Sequence, residues 1–69
     1  MSRQMEFFIY LLEHYAQDKA MSAPQVLASW ERQGLVGEIM DSYEMYHSES
    51  LENAYADIDS LMATGRHAW

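Results

Sequence analysis

"LENAYADIDSLM", residues 51 to 62, decides the class of the fold. Leu51, Ala54, Tyr55, Ile58, Leu61 and Met62 recur at intervals of three and four, the period of one helix face, and nothing in the segment alternates as a half-buried strand would. Before it, "HSES" offers Ser48 and Ser50 as caps, and after it Gly65 predicts a left-handed stop. The remaining "RHAW" is a short tail whose Trp69 the pattern leaves either docked or mobile. Asp57 and Asp59, two positions apart, diverge by about 200° on such a helix. They read as solvated, with one available to pair a basic group.

Upstream, three more helices follow from the same reasoning. Val36, Ile39, Met40, Tyr43, Tyr46 and His47 fall on one face of a third helix, with Glu38, Asp41 and Ser42 on the other and Gly37 weakening its first turn. In "MSAPQV", Ser22 and Gln25 have capping-box spacing, Met21 and Val26 are placed for a hydrophobic staple, and Pro24 sits in the tolerated first turn. This second helix presents Val26, Leu27 and Trp30 and ends at Gly34, a geometry that folds Leu35 back on Trp30. The first helix spans Met5 to Ala16, with Met5, Phe8, Ile9, Leu12 and Tyr15 as its stripe and Leu11 and Ala16 widening it. Without strands, internal repeats or a linker, residues 1–69 read as one all-α domain, a small bundle of four short helices.

A chain of 69 residues buries only about 60% of the surface its unfolded form exposes. Its margin of stability is thin, and the absence of cysteine excludes disulfides and thiolate zinc sites as reinforcement. Tight helix packing, self-association or a partner remain. Eleven acidic against four basic side chains give a net charge of -7, which repels nucleic-acid backbones and anionic lipid and suits a basic protein partner. No stretch approaches the roughly 20 apolar residues of a membrane span, and no charged segment precedes an apolar run at the N-terminus; the expected location is cytoplasmic.

Taken together, "MEFFIYLLEHYA", "MSAPQVLASWERQGL" and "SYEMYHSESLENAYADIDSL" resemble a family of short bacterial proteins, domain of unknown function 3791. Glu6, Phe7, Glu13, Tyr15, Ser22, Val26, Gly34, Tyr43, His47, Asp57, Ile58 and Asp59 carry the resemblance, which runs over nearly the whole chain. It implies a small helical protein encoded beside ADP-ribosyltransferase-like proteins, and so an accessory, antitoxin or adaptor role.

The chemistry-bearing motifs are sparse. Glu44 and His47 form Glu-x-x-His, the spacing that two-metal helical bundles use, but a complete site needs a second copy, which only a symmetric dimer supplies. His47 also shares its predicted face with Tyr43, Ile39 and Val36, so a hydrogen-bonded core or helix-end histidine is the simpler reading. "HSE" imitates half of a zinc deaminase motif whose other half requires cysteine, and no serine stands in a glycine-flanked elbow. No enzyme and no cofactor are expected. Helices two and three imitate a helix-turn-helix, but the would-be recognition helix carries Glu38, Asp41 and Glu44 without a single Lys or Arg.

Helix one holds more apolar surface than one face needs. Phe7, Tyr10 and His14 line up at spacings of three and four on the flank away from Met5 and Ile9. Either helix one is central and the second stripe is core, or the stripe is an exposed aromatic patch rimmed by Glu6, Gln17 and Asp18, with Met45 as a further apolar point on helix three. In the second case Phe7, Tyr10, His14 and Met45 bind a basic protein or a second copy of the chain. The expected function is protein binding, with a Glu44/His47 metal dimer and a purely self-associating structural protein as alternatives.

Overall fold

The computed structural model describes residues 1–69, and every regular element is helical: α1 (Arg3–Asp18), α2 (Ala23–Arg32), α3 (Val36–Asp41), α4 (Tyr43–His47) and α5 (Leu51–Thr64). Caps set the boundaries. The Ser2 and Ser50 hydroxyls accept from the backbone N–H of Met5 and Asn53, each satisfying a donor with no partner inside its helix. At α2 the capping box is complete: Gln25 N–H donates to Ser22 Oγ and Ser22 N–H to Gln25 Oε1. Ser2 starts α1 two residues earlier than the apolar stripe alone indicates.

The C-terminus of α2 closes as the sequence predicts. Gly34 is left-handed at φ +69°, its N–H donates to Glu31 O, and Leu35 N–H donates to Trp30 O, the paired bonds of a Schellman motif. Leu35 is thereby buried in the core with Trp30. Helix α1 ends by the same device without a glycine: Ala20 N–H donates to Gln17 O, Met21 N–H to Ala16 O, and Ala20 takes φ +57°. A left-handed alanine costs about 1–2 kcal/mol, part of which glycine forfeits through its freer unfolded chain. Ala20→Gly is therefore expected to raise stability by about 0.5–1 kcal/mol. An unchanged or lower urea midpoint would contradict the strained cap.

The predicted third helix is two helices, giving five in all. Ser42 divides them: its Oγ donates to Glu38 O at 2.8 Å, and its N–H is shared between Glu38 O and Ile39 O. A serine that bonds back to the preceding turn bends the helix. The face expected to hold Val36, Ile39, Met40, Tyr43, Tyr46 and His47 is consequently split. Ile39 and Tyr46 are buried, Val36, Met40 and Tyr43 are half-buried, and His47 is exposed at the end of α4 and bonded to Tyr43 O, the helix-end histidine rather than the core one.

One core joins the elements. Helix α1 packs against α2, α3 and α4, and α5 closes against α4. Trp30, with no exposed surface, sits edge-on to the rings of Phe8 (5.9 Å between centroids) and Tyr15 (5.5 Å). Around it lie Leu11, Leu12, Ala16, Val26, Leu35, Ile39, Tyr46, Ala54, Ile58 and Leu61. Ile9, expected in the α1 stripe, is 38% exposed. The buried arc is centred on Phe8, Leu11, Leu12 and Tyr15, and Ile9 lies beyond its edge.

Asp57 is the largest departure from expectation, and the tail takes the docked one of its two open alternatives. Asp57 is not solvated; it is 1% exposed within α5. The tail docks upon it, with His67 and Ala68 both bonded to its carboxylate.

Candidate functional site

Two arrangements of polar and aromatic side chains stand out, one on the surface of α1 and α4 and one beneath the C-terminal tail. On the surface, Phe7 is half-buried against α4, with its ring 5.6 Å from Tyr43 and 6.3 Å from His47, both edge-on. Tyr43 and His47 stack face to face at 4.3 Å, one helical turn apart. On the other side of Phe7 the row continues to Tyr10 at 6.4 Å and from there to His14 at 4.0 Å. Five rings thus form one continuous row across two helices.

Local backbone chemistry orients both histidines. His14 Nδ1–H donates to Tyr10 O and His47 Nδ1–H donates to Tyr43 O, each at 2.8 Å. That bond fixes the Nδ1–H form of each ring and leaves Nε2 for an outside partner. Tyr10 remains 49% exposed, and Glu6 and Glu13, four before it and three after, are exposed beside it on the same side of α1.

Of the predicted binding residues, the fold therefore gathers Phe7, Tyr10 and His14. Both anticipated fates of the stripe are realised: Phe7 is packed between helices, while Tyr10 faces solvent. Met45 is exposed, but on α4 it lies about 200° around from Tyr43 and so off the row. Tyr43 and His47 join it instead. Their spacing of four was legible, but nothing in the sequence tells which part of α1 they meet. Glu44 is exposed, and no group of three or more His, Asp or Glu side chains is placed to hold a metal ion.

Beneath the tail, Asp57 accepts three hydrogen bonds: Tyr46 Oη donates to Oδ2 at 2.5 Å, His67 Nδ1–H to Oδ2 at 2.7 Å, and the Ala68 N–H to Oδ1 at 2.5 Å. His67 Nε2–H donates to Glu38 at 2.6 Å, and the His67 ring stacks on Trp69 at 4.4 Å. Glu38 and then Asp57, each accepting a hydrogen bond, favour the imidazolium and hold the His67 pKa above its ordinary value. Burial, followed by the bond to Asp57, pushes the Tyr46 phenol well up. Because both His67 nitrogens donate to carboxylates, neither is left to take a proton from a substrate. The arrangement clasps the tail to α3, α4 and α5. A sequence signal for it existed: Asp57 lies three residues after Ala54 and four before Leu61, inside the apolar stripe of α5.

Asp59, the other acidic residue of that pair, is partly exposed and bonds within its own chain. Tyr15 Oη donates to Oδ1 at 2.6 Å and Lys19 Nζ to Oδ2 at 2.8 Å. Burial alone would raise the Asp59 pKa, but the bonds from Lys19 and Tyr15 outweigh it and hold the carboxyl below its usual value. Lys19, one of only four basic residues, is correspondingly raised, chiefly by the same bond.

Residues 6–64 match the model of a family described as protein of unknown function DUF3791. No curated protein and no solved structure matches the chain.

Proposed function

The chain belongs to the DUF3791 family, and from that premise we propose that it acts by binding another protein, without catalysis, through the aromatic row of α1 and α4. The observation that carries the reading is the row itself: Tyr10 is half-exposed on a base of interlocked rings, with acidic side chains beside it. Aromatic rings give a partner large contact area for little lost rotamer freedom. An apolar centre with a charged edge is the anatomy of a protein interface. The net charge of -7 favours a basic partner and speeds encounter at low salt.

The partner in this reading is the ADP-ribosyltransferase-like protein encoded beside members of the family that the sequence resembles. The chain would cover its basic surface in the cytoplasm, as an antitoxin or adaptor does. No helix here is long and apolar enough to cross a membrane.

Tyr10→Glu tests the interface more cleanly than a change at Phe7, which also packs α1 on α4. Loss of a central aromatic contact is expected to weaken binding about 30-fold or more, with helical content unchanged. The measurement is a pull-down from native extract at low and high salt, with wild type beside Tyr10→Glu and mass spectrometry as the readout. A single protein enriched by wild type and lost from the variant and at high salt supports the proposal. Equal enrichment by both, enrichment by neither, or recovery of only a second copy of this chain overturns it.

A further inference from the structure

The end of α1, α2 and the last turns of α5, with no residue of α4, enclose an open groove of about 440 Å³, walled by Tyr15, Met21, Val26, Met62 and Ala63. That volume lies within the range of small-molecule sites, roughly 300–1,000 Å³. Trp30 lies beneath its wall, fully buried, and its indole Nε1–H has no acceptor. It is the one buried side-chain polar atom in the chain left without a partner. Buried donors are nearly always satisfied, and an exception beneath a groove points to an acceptor supplied from outside.

The rim restricts what that acceptor can belong to. The Lys19 ammonium is taken up by Asp59 at 2.8 Å and Asp18 at 3.5 Å, and the Tyr15 hydroxyl by Asp59. Two carboxylates against one ammonium leave the mouth slightly negative, which disfavours an anion. The remaining wall is mostly apolar, and a guest reaches the enclosed indole N–H only when flexible wall side chains such as the thioethers of Met21 and Met62 shift. We propose that this groove binds a neutral, apolar small molecule carrying one carbonyl acceptor, which takes the Trp30 indole N–H. The site is separate from the aromatic row and does not depend on the protein-binding reading.

Acetophenone and ethylbenzene, alike in size but differing in the carbonyl, are the probes. The readout is the indole 1H–15N resonance of Trp30 in the intact chain, with that of Trp69 as the internal control. Acetophenone is expected to move the Trp30 indole proton downfield saturably and leave Trp69 in place, whereas ethylbenzene gives no such shift. Ala63→Leu, at an exposed position on α5 that lines the groove, fills the space without entering the core; it is expected to weaken acetophenone binding at least about tenfold. No saturable shift, an equal downfield shift from ethylbenzene, or undiminished binding to Ala63→Leu overturns the assignment.

Discussion

Trp30→Ala is expected to remove half or more of the stability of the fold. Replacing a fully buried tryptophan by alanine removes about 3–5 kcal/mol. A 69-residue domain has roughly 3–10 kcal/mol in total at the usual stability per residue. The loss is close to the upper end of that cost because Trp30 is edge-on to both Phe8 and Tyr15 and has no exposed atom, so neighbours on α1 cannot collapse into the space without moving the helix. Trp30→Phe makes the informative contrast. It keeps most of the ring and deletes the unpartnered N–H, whose burial alone costs about 1–3 kcal/mol. The expected penalty is less than half that of alanine. Urea unfolding followed by far-UV circular dichroism measures both; a Trp30→Ala midpoint close to wild type would show that the core is not organised around this residue.

Asp57→Ala is expected to lower stability by about 2–4 kcal/mol and to release residues 67–69. The substitution strands the buried Tyr46 hydroxyl, which costs about 1–3 kcal/mol, and removes the anion that anchors His67. Its signature in pH separates this network from simple loss of packing. The folded His67 pKa is raised above the unfolded value of about 6.5. The stabilisation is therefore complete below about pH 6.5 and declines as pH rises through the raised pKa. Wild-type stability should fall across that alkaline window, and His67→Ala should not show that component of the slope. In Asp57→Ala the slope should be lost as well, because the released tail carries His67 away from Glu38. Urea midpoints measured from pH 5.5 to 9 in the three proteins give the answer. Identical slopes would remove His67 from the account of tail docking.

The residues that carry the family resemblance acquire physical roles here. Ser22 closes a capping box, Gly34 is the left-handed residue of a Schellman motif, and Val26 and Ile58 are buried in the core. Tyr15 and Asp59 tie α1 to α5, Tyr43 and His47 stack beside Phe7, and Asp57 holds the tail. Much of the shared pattern is accordingly needed for folding. Tyr10, on which the binding proposal chiefly rests, is not among those residues, so resemblance and surface chemistry support the interaction reading on separate grounds.

The amino-acid sequence by itself determined the helical class, the caps at Ser22 and Gly34, the return of Leu35 to the core and the alignment of Phe7, Tyr10 and His14. All of these depend on spacings within about one helical turn or on local backbone geometry, and both are written in consecutive residues. Tertiary structure alone decided that Tyr43 and His47 extend the aromatic row, that Ile9 is left outside the core, and that the tail docks. It also decided the fate of the two aspartates. Asp57 turns inward because Tyr46 and His67 supply donors from 11 and 10 residues away, and Asp59 stays at the surface because Lys19, 40 residues distant, meets it there. A buried carboxylate is stable only where donors converge on it, and that convergence exists only once the helices have packed.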